Sequence, residues 1–257
     1  MTPLPPAARR RRAVLSLALC AGLTASLTAC GGEEDPDAGT NGVGKLSAAE
    51  IETKAKAAAD AASSVRLSGT LVTSGSTYKL NMRLKQDGGS GSVTAKDTTF
   101  ELLRIGDALY LRADAGFWTH TDAKSGEKPS KADLEAAEKL NGKYVKVPKG
   151  DPAYEQFRGF TDMDLLLDGL LGMHGALVKG DRTKVGGVRA IKVTGSEGGG
   201  NALDVSLEGT PYPLQFTRAG GTGVLTLGDW GKDFPLKEPP KEETVDYGGQ
   251  LPKTSDD

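Results

Sequence analysis

Along most of its length this chain places apolar side chains at every second position. In VRLSGTL, Val65, Leu67, Gly69 and Leu71 share one face. In YKLNMRLK, Tyr78, Leu80, Met82 and Leu84 oppose Lys79, Asn81, Arg83 and Lys85. The same beat returns with Leu109, Leu111 and Ala113, with Val145 and Val147, and with Ile191 and Val193. It continues with Leu203, Val205 and Leu207, with Tyr212, Leu214 and Phe216, and with Leu225 and Leu227. TTFELLRI is apolar on both faces in part. A period of two belongs to strands, and clean alternation belongs to antiparallel strands with one dry and one wet face. Breaks at Thr73 to Ser76, Asp87 to Gly91, Gly106-Asp107, Gly186-Gly187, Gly198 to Asn201 and Gly220-Gly221 suit hairpin turns.

Three stretches switch to a helical period. Ser47 with Glu50 three residues on makes a capping box, and Ile51, Ala55, Ala58, Ala59 and Ala62 then share a face. Ser130 and Asp133 open a second helix with Leu134, Ala137 and Leu140 along one side. A third, over Thr161 to Met173, holds Leu165, Leu166, Leu167, Leu170 and Leu171 and is apolar nearly all round. Such a helix must be covered on several sides or face something greasy. The expected class is therefore α+β, a curved antiparallel sheet of about ten strands with about three helices on its apolar face. Aromatic residues make up only 5 % of the chain, little for filling a wide space. A large twisted sheet tends to curl. A hollow open half-barrel and a fully packed sandwich both satisfy the pattern.

The amino terminus addresses the chain. Arg9 to Arg12 precede an apolar run from Ala13 to about Leu27, then small residues and Cys30. This is the order of a secretory signal, and the run is too short for a membrane span of ~20 residues. The string Leu27-Thr28-Ala29-Cys30-Gly31 resembles the bacterial lipobox. That resemblance implies transfer of diacylglycerol to the Cys30 thiol, cleavage before Cys30, and a protein anchored by lipid to the extracytoplasmic face of the cell membrane. Cys20 leaves with the signal, so the mature chain has no thiol pair for a disulfide. Losing the four arginines takes 32 basic residues to 28 against 34 acidic ones, a net charge of about −6. That balance argues against a nucleic-acid partner and leaves anchoring to the acyl chains.

Residues 31–45 are glycine-rich and acidic, and read as a tether reaching ~20 Å. The expected organisation is a signal peptide over 1–29, the acylated cysteine and tether over 30–46, one domain over 47–247 and a polar tail over 248–257.

From Thr183 onward the order of signals is similar to that of the actinobacterial LppX/LprG lipoproteins, and more distantly the LolA/LolB lipoprotein carriers. The points of contact are Gly186-Gly187 before a strand, Pro211 and Pro213 around Tyr212, the Asp229-Trp230-Gly231 turn and Pro239-Pro240. VRLSGTL and IGDALYLR fit as well. The resemblance implies an open half-barrel capped by helices, holding a lipid or lipoglycan-type ligand, with a membrane transporter as a candidate partner and a monomeric carrier. It marks its site by a greasy surface. The residues expected to line it are Leu67, Leu71, Leu80, Met82, Leu109, Leu111, Leu166, Leu170, Leu203, Val205, Leu214, Phe216 and Leu225. The polar stretch Lys124 to Lys131 and the acidic carboxyl end depart from the pattern.

Catalytic signatures do not emerge. The histidines are His120 and His174, and no HExxH, CxxC, GxSxG or GxxxxGK[ST] occurs. No cofactor, metal or enzymatic step is expected. His120-Thr121-Asp122 reads as a surface loop, and His174 as a residue near a helix end. Trp230 reads as packing with a polar handle. Phe117-Trp118 suits either packing or the mouth of a cavity. The rival from another class is a packed envelope interaction or sensor-accessory module without lipid cargo.

Overall fold

Each glycine-rich break returns the chain antiparallel to the strand before it, so the sheet grows by hairpins. The computed structural model describes residues 37–246 except 74, 97, 120–128, 174 and 196–199. Cys30, His120, His174 and the polar tail lie outside the described residues.

Among the described residues twelve strands form one sheet: β1 (Ser64–Thr73), β2 (Ser76–Lys85), β3 (Gly88–Ala95), β4 (Thr98–Ile105), β5 (Ala108–Ala113), β6 (Tyr144–Val147), β7 (Leu177–Val185), β8 (Val188–Gly195), β9 (Ala202–Ser206), β10 (Pro213–Thr217), β11 (Gly223–Gly228) and β12 (Thr244–Asp246). Their order is β12-β6-β5-β4-β3-β2-β1-β11-β10-β9-β8-β7. Two meanders, β1 to β6 and β7 to β11, are thus joined where β1 pairs with β11, at Leu67↔Leu227 and Gly69↔Leu225. β12 returns to lie parallel beside β6. The edges β7 and β12 do not meet, so the sheet stays open.

The count exceeds the expected ten because three strands carry no alternation. β3 is GGSGSVTA; its glycines read as a turn, yet Gly88 to Ala95 pair with both neighbours. β7 is a charged edge strand with an irregularity between Lys179 and Arg182, and charges on an edge discourage further pairing. β12 is only three residues long.

The described helices are α1 (Ala48–Asp60), α2 (Ala115–Thr119), α3 (Lys131–Leu140), α4 (Pro152–Thr161) and α5 (Met163–Leu171). The Ser47 and Ser130 capping boxes both form. α4 was not legible as a helix. Asp151 caps it by accepting from the Ala153 backbone N–H, and Pro152 stands in its first turn. α1 packs over β7 to β10, α4 over β2 to β4, and α2 over β4 and β5. Inward side chains of the sheet and helices form one core.

Asp37 to Leu46, which composition assigns to the tether, are fastened to the β7–β9 side. The Arg182 guanidinium meets Asp37 at 2.6 Å, Arg189 donates to the carbonyls of Ala38 and Gly39, and Lys179 donates to those of Gly44 and Leu46. Val43 is buried in the core. Hydrogen-bonded carbonyls and one apolar anchor offset the ordering entropy that its composition suggested could not be met.

Candidate functional site

The pairing registers align inward residues into bands across the sheet. One band runs Val193, Leu203, Phe216, Leu225, Gly69, Leu80, Val93, Phe100 and Ala113. The next runs Leu227, Leu67, Met82, Gly91, Leu102, Leu111 and Val145. A third runs Val65, Leu84, Gly89, Arg104, Leu109 and Val147. Arg104 is the one charged residue in these three bands.

Most of the residues expected to line a cavity lie on this face. Leu67, Leu80, Met82, Leu109, Leu111, Leu203, Val205 and Leu225 are at most 1 % exposed, and Leu71 and Phe216 are buried with them. They lie beneath the helices, in contact with the core they share. Leu170 is buried from the helix side, and Leu166 is half-buried against the same core. Leu214 departs from expectation. The β9–β10 register shifts between Pro213 and Gln215, so Leu214 occupies the irregularity, half-buried and outside the core cluster. A bulge of this kind breaks the two-residue phase that placed Leu214 beside Phe216. Tyr212 likewise leaves the inner face: its ring stacks on Trp230, 4.9 Å between centroids, while Trp230 Nε1 donates to the Pro213 carbonyl.

The α4–α5 junction is seated in a notch made by glycine. A Cβ on Gly89 would stand 2.7 Å from Leu84 Cδ2 and 3.0 Å from the Thr161 carbonyl oxygen, so the end of α4 rests almost on the β3 backbone. The notch also receives Arg104. Its Nη1 donates to the Gly106 carbonyl at 2.9 Å, its Nη2 to the Thr161 carbonyl at 3.0 Å, and Asp162 lies 3.8 Å away. The Arg104 Nε is buried without a partner among the described residues. Asp162 in turn accepts from Arg158 and, through Oδ1, from the backbone N–H of Leu165 that opens α5. One carboxylate therefore joins two helices and a strand.

Aromatic side chains gather beside this junction. Phe100 lies 5.3 Å from Phe117 and 5.5 Å from Phe157, Phe117 meets Trp118 edge-on at 5.0 Å, and Tyr78 meets Phe160 at 5.7 Å. Trp118 is buried, its Nε1 without a partner among the described residues, whereas Tyr78, Phe117 and Phe160 are half-exposed. On α5, Leu165 stands 52 % exposed. The leucine helix is covered on the side of Met163, Leu167, Leu170 and Leu171 and open on the other, where Asp164 and Leu165 face outward.

The sequence carried a signal for Arg104 that alternation alone would have revealed: in FELLRI it shares the phase of Phe100 and Leu102. The aromatic cluster had no such signal, since its members come from β2, β4, α2 and α4. Among the described residues, no group of His, Cys, Asp and Glu suits a metal ion. The shifted carboxylates lie at the surface. Lys149 beside Asp107 and Lys232 beside Asp229 hold those carboxyls below their ordinary range. No described helix is long and apolar enough to cross a membrane.

No family model matches the chain, and no curated protein matches it. Solved structures do. The crystal structure of LprF from Mycobacterium bovis matches with a TM-score of 0.52 at 14 % identity, over 75 % of this chain and 96 % of that one. The Mycobacterium tuberculosis lipoprotein LppX matches at 0.47 and 12 % identity, over 74 % and 98 %. An uncharacterised conserved protein from Thermus thermophilus matches at 0.38 and 11 %, over 77 % and 98 %. This chain shares with LprF the fold of a large, open, mostly antiparallel sheet with few helices.

Proposed function

We propose that this chain is a lipid-anchored extracytoplasmic protein that binds a lipid or lipid-linked molecule between the apolar sheet face and its helices. It carries or presents that molecule in the cell envelope. The observation that supports this most is the apolar face itself: three bands of inward residues broken by a single charge, Arg104. Its cover consists of short helices, and α4 and α5 meet at one residue, Asp162. Rotation at Asp162 would part α5 from the sheet and let an acyl chain enter beside Leu166 and Leu170. Each CH₂ taken from water contributes ~0.8 kcal/mol. Binding, shielding and release involve no covalent step.

Acylation of Cys30 supplies the anchor. The protein acts as a monomer, and its acceptor is a membrane component or transporter.

The second reading, a packed envelope interaction module, is favoured by the near-complete burial of the same face. Titration with a fluorescent fatty acid separates the two. Saturable binding that phospholipid competes away supports the carrier, and no saturable binding supports the module.

A further inference from the structure

The face of the sheet opposite the helices carries a cationic cleft that lipid carriage does not use. Arg66 on β1 and Arg83 on β2 stand directly opposite each other in the register. Both are exposed on the side away from Val65, Leu67, Met82 and Leu84. The chain leaving β11 folds across the ends of these strands: the Ser64 hydroxyl donates to the Lys232 carbonyl, and the Gly231 N–H donates to the Ser64 carbonyl. Between strands and crossing segment lies a cleft of about 160 Å³ lined by Val65, Arg66, Arg83, Asp229, Lys232, Asp233 and Phe234.

Like charges directly opposed on antiparallel strands are destabilising. Local carboxylates offset this pair only in part: Asp229 lies in the field of both arginines but is shared with Lys232. Asp229 is engaged by Lys232 at 2.7 Å and Asp233 by Lys85 at 2.9 Å. The Arg66 guanidinium donates to the neutral Asn81 amide oxygen at 3.4 Å, an acceptor that carries no charge. Four cations against two carboxylates leave two positive charges at one cleft, on a mature chain whose overall balance is acidic. A phosphate ester carries roughly −1.5 to −2 and three acceptor oxygens. Two guanidinium forks on neighbouring strands suit such a tetrahedral anion better than a single carboxylate. The Phe234 ring gives the cleft an apolar wall for the carbon next to the phosphate.

We propose that the Arg66–Arg83 cleft is a phosphate-ester site, separate from the apolar face and independent of whether that face carries lipid. The phosphate comes either from a soluble ester or from a phospholipid headgroup, and both offer the same group to the same arginines.

The test follows the arginine Nε–H resonances and the binding heat of the purified chain in low-salt buffer. Inorganic phosphate and glycerol 3-phosphate are the soluble probes. Vesicles of phosphatidylglycerol in phosphatidylcholine, against pure phosphatidylcholine, are the membrane probe. Wild type is expected to bind phosphate in preference to chloride. Arg66→Gln with Arg83→Gln should weaken it at least tenfold, and Lys139→Gln, on exposed α3, should leave it unchanged. The double variant should melt no lower than wild type, because it removes a repulsive pair. Arg83→Lys, which keeps the charge and loses the fork, should bind with intermediate strength and covers the case in which the double variant fails to fold. Loss of phosphatidylglycerol vesicle binding in the double variant identifies a headgroup, and loss of soluble-ester binding alone identifies a soluble ligand. Equal phosphate binding by wild type and both arginine variants, or no preference for phosphate over chloride, overturns the proposal.

Discussion

Arg104 Nη2 donates to the Thr161 carbonyl at 3.0 Å, a buried bond that ties strand β4 to the last turn of α4. Both groups depend on it. The carbonyl belongs to a helix end that has no further turn to accept from, and the guanidinium stands in an otherwise apolar band.

Replacing Arg104 should therefore cost stability and loosen the helices together. Arg104→Met removes two charge-assisted hydrogen bonds, each worth about 1.5 kcal/mol or more, so a loss near 3 kcal/mol is expected in urea unfolding. Hydrogen exchange over α4 and α5 should accelerate more than over β8 and β9. A uniform acceleration across the sheet would show that Arg104 holds the core in general and not the junction.

Gly89 tests the notch from the other side. A methyl there meets Leu84 and the Thr161 carbonyl within 3.0 Å, and overpacking of this kind costs about 1–3 kcal/mol. Gly89→Ala should lower the melting temperature, and Gly89→Val should lower it further. Gly106→Ala is a poor control because that turn needs a positive φ. Gly159→Ala, at a position with open space, is expected to be neutral or stabilising.

A pH dependence follows from the α1 cap. The Ser47 side chain and backbone N–H both bond Glu50 and hold its carboxyl below its ordinary value of 4.5. A lowered folded pKa gives stability that is present above about pH 4.5 and lost as pH falls through the folded value. The urea midpoint of wild type should exceed that of Glu50→Gln at pH 7, and the gap should close as the solution is acidified below pH 4. A constant gap would mean that charge at Glu50 plays no part.

Cys30→Ala should abolish incorporation of radiolabelled fatty acid and release the protein from membranes. Undiminished labelling would remove the anchor from the account.

The sheet was legible wherever one face is wet and one dry. Val65 to Leu71 and Tyr78 to Leu84 declared both strand and phase. β3 was hidden because its inward positions include Gly89, which has given up a side chain where the end of α4 rests, and Gly91, which lies close against Met82 of β2. Its identity as a strand is set by partners far along the chain. Leu214 misled for a related reason: a register shift is invisible to a periodicity that assumes none. The fastening of Asp37 to Leu46 was hidden by composition, since it rests on backbone carbonyls that any sequence supplies. Arg104 shares the phase of Phe100 and Leu102, but nothing local showed that a helix end would meet it.

The central claim is that lipid occupies the space between the apolar sheet face and its helices. Native mass spectrometry of the protein carrying Cys30→Ala, purified without detergent, tests it most directly. Satellite peaks are expected at the mass of one noncovalent lipid, reduced in Leu166→Asp, a half-buried position on α5 where the change spares the sheet. A single unliganded mass, unchanged after incubation with phospholipid, would contradict it.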